Sequence, residues 1–202
     1  VAQVWAGALL LIALAAFFLT RDEPQLIERR RTGQKPVAAW MQLEPLKDLR
    51  VWRFALYYFF VFGGFVALAL WLPHYLTGAY GVGIGVAGML AAAYSIPGSL
   101  FRVFGGWLSD RIGARKVMYL TFLISVVCAF ILAYPATTYV VDGIDGPIRF
   151  RLAMSLPVFT AVVFVLGFAM SLGKAAVYKH IPVYYPDHVG SVGGLVGMIG
   201  GL

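Results

Sequence analysis

Long apolar runs that carry few charges recur along the chain. Each of five runs is close to the roughly 20 residues that a helix needs to cross a bilayer, and we place them at 1–20, 54–77, 82–108, 117–135 and 154–177. A sixth run begins near Val189 and reaches Leu202, and we expect it to be part of a longer span. The runs are continuously apolar, whereas strands of a membrane barrel alternate in polarity. The pattern therefore predicts a bundle of membrane helices.

The overall composition excludes a soluble globular domain. Of the 202 residues, 61% are hydrophobic and 12% are charged, whereas soluble domains carry about 25% charged residues. The net charge is +7, but this apolar content makes a lipid bilayer, and not nucleic acid, the expected partner. The single cysteine, Cys128, excludes an internal disulfide framework. There is no Ser/His/Asp set, metal-ligand cluster or nucleotide motif, so we expect neither an enzyme nor a bound metal or cofactor.

The basic residues are unevenly distributed among the connections. Segments 21–53, 109–116 and 178–188 carry lysine or arginine and alternate with connections that are neutral overall. The positive-inside rule places the three basic segments in the cytoplasm of a multi-pass protein of the inner (plasma) membrane. The first run lacks an initiator methionine, so we expect a piece of a longer protein. Segment 21–53 is then a cytoplasmic connector between two helical bundles.

A polar motif, GGWLSDRIGARK, separates the third and fourth spans. Gly106 would let two helices approach closely, and Gly113 would permit a tight reversal of the chain. Asp110 could pair with a basic residue or cap a neighbouring helix, forming a latch that breaks when bundles move. Arg111 and Arg115 would hold the turn on the cytoplasmic side. The simpler alternative is a basic loop determined by topology alone.

These residues, together with Lys116, resemble the signature loop of the major facilitator superfamily. Ala114 stands where a basic residue is usual, which suits the weaker copy of the loop between helices eight and nine. The resemblance implies an all-α integral membrane fold of which this chain is an incomplete C-terminal six-helix bundle. Residues 1–20 would be helix six of twelve, 21–53 the central loop, and 54–202 helices seven to eleven. The N-terminal half of the transporter would be its partner.

Glycines are regularly spaced in the last run. Gly190, Gly194, Gly197 and Gly201 are separated by four, three and four residues, so they follow one helix face on which a backbone or a small ligand could approach. Tight packing is the alternative. Together with the segment AVYKHIP, this run resembles the signature helix of the nitrate/nitrite porter family. The resemblance implies that the anion lies against this helix, at Gly194 and Gly197, and that the helix closes over it.

Arg102 is the only charge inside an otherwise apolar helix. It precedes Asp110 by eight residues, which is about 12 Å along a helix. An arginine at this depth usually faces a cavity, although snorkelling to the surface is the alternative. A guanidinium is a planar fork that can bind a planar anion with two hydrogen bonds. The family resemblance implies nitrate or nitrite as that anion and a second arginine from the missing half.

Two aromatic residues on the second span, Tyr58 and Phe62, are spaced to share one helix face. The resemblance implies that they hydrogen-bond and sandwich the flat anion, whereas plain aromatic packing is the alternative. Tyr57 and Phe59 are close enough for an error of register. Pro97 predicts a kink near Tyr94, which would be either a gate or a structural bend.

The mode of energy coupling stays open between proton symport and nitrate/nitrite exchange. All nine acidic residues lie outside the apolar runs, so no proton relay is visible. Lys174 and Lys179, however, resemble the subgroup associated with proton-linked nitrate uptake. Near the start of a cytoplasmic loop, Lys174 would either draw anions towards the exit or snorkel. Two other functions remain: a porter for another small anion, or a membrane sensor with the same fold that does not transport.

Overall fold

The computed structural model describes residues 2–20, 28, 31–33, 44–134 and 136–202. The chain divides into two compact units, residues 1–42 and 43–202. The first unit contains helix α1 (Ala2–Leu19), whose side chains are almost all exposed. Much of the connector expected at 21–53, including the basic positions Arg21, Arg29 and Lys35, lies outside the described residues. The bundle and the candidate site belong to the second unit.

The second unit consists of long helices and one β-hairpin. In chain order its elements are a 3-10 turn (Glu44–Lys47), α2 (Leu49–Tyr58), a π-helical turn (Phe59–Gly64), α3 (Phe65–Tyr80), α4 (Ile84–Leu100), α5 (Arg102–Ile112), α6 (Ala114–Leu132), β1 (Thr137–Gly143), β2 (Gly146–Leu152), α7 (Leu156–Tyr184), a 3-10 turn (Pro186–His188) and α8 (Val189–Gly200). Helices α2 and α3 are continuous through the π-helical turn, and α4 and α5 are continuous through Phe101.

Four helices in the described part of the chain are long and apolar enough to cross a membrane. They are Leu49–Tyr80, Ile84–Ile112, Ala114–Leu132 and Leu156–Tyr184, while the apolar helix at the start of the chain is shorter. These helices confirm the predicted class, a helical membrane bundle. Helix α7 continues to Tyr184 and not to residue 177 as expected, because lysine is compatible with a helix and does not end it.

The β-hairpin was not predicted. Strands β1 and β2 pair antiparallel from Thr137 opposite Leu152 to Gly143 opposite Gly146. The turn between them needs a glycine, since Gly146 has φ +122°. The cross-strand rings of Tyr139 and Phe150 stack with their centroids 5.3 Å apart, which is a stabilising pair in a sheet. The segment interpreted as a loop is therefore an ordered element at one end of the bundle.

Helix α7 is the centre of the bundle. Half of its most apolar stretch is buried, against 22–28% for the other three spanning helices. It packs against α4, α5 and α6. At Gly105 the backbone of α5 closely approaches that of α7: an added Cβ would lie 2.7 Å from the Cα of Leu172. From the sequence, this close approach was expected at Gly106. That expectation is wrong within the described residues, because an added Cβ on Gly106 meets nothing within 4 Å.

The two ends of the bundle differ in chemistry. The starts of α2 and α6 and the ends of α5 and α7 lie at one end, which we call the basic end. Its charged residues include Asp48, Arg50, Arg53, Asp110, Arg111, Arg115, Lys116 and Lys179. The hairpin and the start of α7 lie at the other end, which we call the hairpin end. The alternation of helix direction places them on opposite sides of any membrane that the helices cross.

Candidate anion site

Arg102 opens helix α5, one residue after the irregularity at Phe101. Residues 84–100 form a helix that continues through Pro97, and the kink expected near Tyr94 stays a prediction. Tyr94 is held in the core: its ring stacks on Phe65 with centroids 4.7 Å apart, and its hydroxyl donates to the Phe65 carbonyl at 3.2 Å. The irregularity therefore lies one turn after Pro97, next to the arginine. Whether it gates the site stays a prediction.

Three aromatic rings lie next to Arg102. Its guanidinium carbon is 5.6 Å from the ring centroid of Tyr178. The Tyr178 ring is perpendicular to that of Tyr58, with centroids 5.0 Å apart. Tyr58 in turn stacks on Phe62 at 5.0 Å with an interplanar angle of 9°. We call Tyr58, Phe62, Tyr178 and Arg102 the aromatic cluster. Within the cluster, Tyr58 interacts electrostatically with both Arg102 and Tyr178.

The structure shows which of the neighbouring aromatic residues of the second span belong to the cluster. Tyr57 packs against Phe122 of α6, with centroids 5.2 Å apart. The side chain of Phe59 is 45% exposed. Tyr58 thus interacts with Arg102, and Phe62 stacks on Tyr58. The substrate role that the resemblance implies for them stays a prediction.

A π-helical turn presents Phe62 to the cluster. It covers six residues and includes Gly63 and Gly64, two residues that favour helix poorly. An added Cβ on Gly63 would lie 2.9 Å from the carbonyl oxygen of Gly200 on α8. Short π-helical turns often occur at functional sites. The glycine pair was the only signal of this turn in the sequence.

The glycines of helix α8 differ in how closely other residues approach them. Gly200 lies under the ring of Tyr58 with no room for a side chain, and an added Cβ on Gly197 would be 3.0 Å from the Tyr178 hydroxyl. That hydroxyl donates to the carbonyl of Gly193 at 3.4 Å. Gly194 and Gly190 face open space instead. Of the two glycines expected at the anion, Gly197 therefore touches the aromatic cluster and Gly194 does not.

Lys174 is the residue whose position differs most from expectation. It lies inside α7, ten residues before the helix ends at Tyr184, and only 4% of it is exposed. Its ammonium nitrogen is 3.2 Å from the ring centroid of Phe65, a cation–π contact. Lys174 was expected near the start of a cytoplasmic loop, which is wrong because the helix continues to Tyr184. The side chain does not reach the basic end.

Two cations thus lie within the membrane-spanning helices: Lys174 is buried, whereas Arg102 is exposed on the surface of the bundle. Arg102 and Lys174 are close enough to repel each other electrostatically. Among the described residues the only ion pair within 4.0 Å joins Asp110 to Lys179, so neither cation has a carboxylate partner there. Cations without partners inside a membrane protein usually face a cavity or a ligand path. The arrangement can bind an anion, and the described residues contain no group of side chains suited to a metal ion.

The polar motif forms the corner between α5 and α6 at the basic end. Gly113 has φ +89°, a conformation that needs glycine. Asp110 accepts a hydrogen bond from Lys179 of α7. Arg111 lies over the Trp107 ring at 4.5 Å, and Arg115 donates from Nε to the Tyr119 hydroxyl at 3.1 Å. The basic partner of Asp110, which the sequence left open, is therefore Lys179.

We expect this contact to add little stability. The side chains of Asp110 and Lys179 are 61% and 45% exposed, and exposed pairs contribute about 0.2–1 kcal/mol. A double-mutant cycle with Asp110→Asn and Lys179→Gln, measured by thermal unfolding of the full-length protein, should give a coupling energy below about 1 kcal/mol that falls with added salt. A larger, salt-independent coupling would show that the pair is a fixed structural bond instead of a latch.

A second contact at the basic end is sensitive to pH. The Tyr185 hydroxyl donates to the carboxylate of Asp48 at 2.6 Å, and the amide of Arg50 donates to the same group at 2.9 Å. These bonds lower the pKa of Asp48 below its ordinary value of 3.8. Burial and the bond to Asp48 raise the pKa of Tyr185 to about 12.

The directions of the two pKa shifts determine how the stability of the protein depends on pH. Because the folded pKa of Asp48 is lowered, its contribution to stability is present above the unfolded pKa and is lost as pH falls through the folded value. The contribution of Tyr185 is present below its ordinary pKa and is lost as pH rises through about 12. Tyr185→Phe should therefore flatten the acid limb of melting temperature against pH in the full-length protein. An unchanged acid limb would contradict the role of this bond.

Comparison with known proteins assigns the class. The sequence profile of the Major Facilitator Superfamily matches residues 2–202, and the chain belongs to this superfamily of membrane proteins. It is 45% identical over 195 residues to a protein of Thermus thermophilus named "Probable nitrate/nitrite antiporter NarK1", covering 95% of this chain and 43% of that protein. No solved structure matches the chain.

Two further relatives are more distant. A protein of Mycobacterium tuberculosis named "Probable nitrate/nitrite transporter NarK2" is 33% identical over 200 residues, covering 98% of this chain and 45% of that protein. The "Nitrite extrusion protein" of Bacillus subtilis is 25% identical over 193 residues, covering 95% and 43%. The chain thus spans less than half the length of these relatives.

Proposed function

We propose that this chain forms one half of a secondary transporter that moves nitrate and nitrite through a membrane by alternating access. The observation that carries the proposal is a pair of cations within the spanning helices, the exposed Arg102 and the buried Lys174, which repel each other and have no carboxylate partner among the described residues. A monovalent anion between them would relieve that repulsion. The names of the relatives support nitrate and nitrite as the anion.

The aromatic cluster supplies a shape that suits a small flat anion. Nitrate and nitrite are planar, and the guanidinium of Arg102 can donate two parallel hydrogen bonds in one plane. The stacked rings of Tyr58 and Phe62 offer a flat wall beside it. In alternating access the substrate binds near the midplane between two bundles. The second bundle would come from the remaining half of the protein, which would complete the site.

The chain favours anion exchange over proton symport. All nine acidic residues lie outside the apolar runs, so this half offers no membrane-buried carboxylate to carry a proton. We place the basic end in the cytoplasm of the inner (plasma) membrane by the positive-inside rule. The contact between Asp110 and Lys179 would then close the cytoplasmic side in one state and open in the other.

The test is transport by the full-length protein in proteoliposomes. We expect labelled nitrate uptake when the vesicles contain nitrite, and little change when a proton gradient is added or collapsed. Chloride and phosphate inside the vesicles are the control anions and should not drive uptake. Uptake that depends on the proton gradient would show that the transport mechanism is proton symport and not anion exchange. Uptake of neither nitrate nor nitrite would overturn the substrate assignment.

A further inference from the structure

A second electropositive cavity lies at the basic end, outside the aromatic cluster. It has a volume of about 460 Å³ and is enclosed by α2, α6 and the end of α7. Three arginines line it, two from α2 and one from α6. Together with the aromatic residues that face them, the lining residues used below are Arg50, Arg53, Tyr57, Arg115, Phe122 and Tyr184.

The positive charge of this cavity is only partly neutralised by the described residues. None of its three arginines has a carboxylate within 4.0 Å in the part of the chain that the structure describes. Arg115 donates to the Tyr119 hydroxyl, and Arg50 lies 5.8 Å from the ring centroid of Tyr184. The nearby carboxylate of Asp48, which accepts hydrogen bonds from the Tyr185 hydroxyl and a backbone amide, can offset only one of the three positive charges. The guanidinium groups therefore remain available to an anion.

The lining changes from charged to apolar with depth. Arg50 and Arg115 are the second residues of α2 and α6, and Tyr184 is the last residue of α7. Tyr57 lies seven residues further along α2, about 10 Å deeper at 1.5 Å per residue, and Phe122 is at the same depth on α6. A cavity with cations at the membrane interface and rings beneath them matches the order of groups in a phospholipid, phosphate first and acyl chain below.

We propose that this cavity binds the phosphate of an anionic phospholipid in the membrane leaflet at the basic end. The three guanidinium groups would contact the phosphate, and Tyr57 and Phe122 would contact the first part of the acyl chains. Basic cavities between membrane helices on the cytoplasmic side are suited to such headgroups. A free phosphate ion would use the same arginines but would gain nothing from the apolar floor, so we commit to the lipid.

The experiment measures lipid retention by the full-length protein. The protein is reconstituted in phosphatidylcholine nanodiscs that contain phosphatidylglycerol, and retained lipid is counted by native mass spectrometry after extraction. Arg50→Gln/Arg53→Gln removes two charges from the cavity. The matched control, Arg149→Gln/Arg151→Gln, removes two from β2 at the hairpin end. Arg115→Gln tests the third arginine from another helix, and all variants are first checked by thermal unfolding.

We expect phosphatidylglycerol retention to fall at least about tenfold in the double variant and about fivefold in Arg115→Gln, since one basic residue near an anionic lipid surface gives roughly that factor. The control should retain lipid like the wild type. Equal losses in cavity and control variants, or no loss in either cavity variant, would overturn the proposal. Displacement of the lipid by millimolar inorganic phosphate would show a free-phosphate site instead. Because the readout is lipid retention, its outcome does not depend on nitrate transport.

Discussion

Gly105→Ala is expected to destabilise the bundle, whereas Gly106→Ala is expected to stabilise it. An added Cβ at Gly105 would lie 2.7 Å from the Cα and 3.0 Å from the carbonyl oxygen of Leu172. These are backbone atoms of the central helix, so no side-chain rotation can relieve the overlap, and overpacking of this kind costs about 1–3 kcal/mol. An added Cβ at Gly106 meets nothing within 4 Å, and alanine favours helix over glycine by about 1 kcal/mol.

The two variants are compared by thermal unfolding of the full-length protein. They differ by one position in the same helix and carry the same substitution, so general effects of the change cancel. The account predicts opposite shifts of melting temperature, with Gly105→Ala lower than wild type. A lower melting temperature for Gly106→Ala and an unchanged one for Gly105→Ala would contradict the account. The close helix contact would then lie on the face that carries Gly106, as the sequence motif alone suggested.

Lys174→Met is expected to leave the stability of the protein unchanged or to raise it, and to weaken anion binding. The ammonium group is buried over the Phe65 ring without an ion-pair partner in the described residues. Replacing a buried charge by an apolar side chain of similar size is often neutral or stabilises by about 1–4 kcal/mol. If Lys174 attracts the substrate anion, the same change should weaken nitrate affinity by at least about tenfold, or about 1.4 kcal/mol.

Lys179→Met is the matched control for this prediction. Lys179 lies on the same helix, at the basic end, where it is exposed and paired with Asp110. It should leave nitrate affinity close to the wild-type value while Lys174→Met lowers it. Both quantities are measured on the purified full-length protein, by nitrate titration and by thermal unfolding. Equal effects of the two variants on affinity would contradict a role of Lys174 in the site.

Much of the bundle could be predicted from the sequence because membrane helices have a simple signal. Apolar runs of sufficient length locate the spans, and the structure finds long apolar helices at four of those places. The spacing of Tyr58 and Phe62 was enough to place both rings on one face, where they stack. The reversal at Gly113 could be predicted because glycine alone adopts its conformation readily.

Other features could not be predicted because they depend on contacts between distant segments. Tyr178 was missed as a neighbour of Arg102, since nothing local shows that α7 and α5 bring them together. Lys174 was expected near the end of its span, at the start of a cytoplasmic loop, although the helix continues for ten more residues. The choice between Gly105 and Gly106 depends on which face meets Leu172. The hairpin lacked a long alternating pattern, and its short strands looked like a loop.

The most direct test of the central claim is nitrate uptake by full-length protein in nitrite-loaded proteoliposomes, comparing wild type with Arg102→Lys. Lysine keeps the charge but cannot donate two coplanar hydrogen bonds, and losing a charge-assisted bond costs about 1.5–3 kcal/mol. The account predicts a fall in nitrate affinity of more than about tenfold. Arg149→Lys, which makes the same change on β2 at the hairpin end, should transport like wild type. Normal uptake by Arg102→Lys would contradict the anion site proposed here.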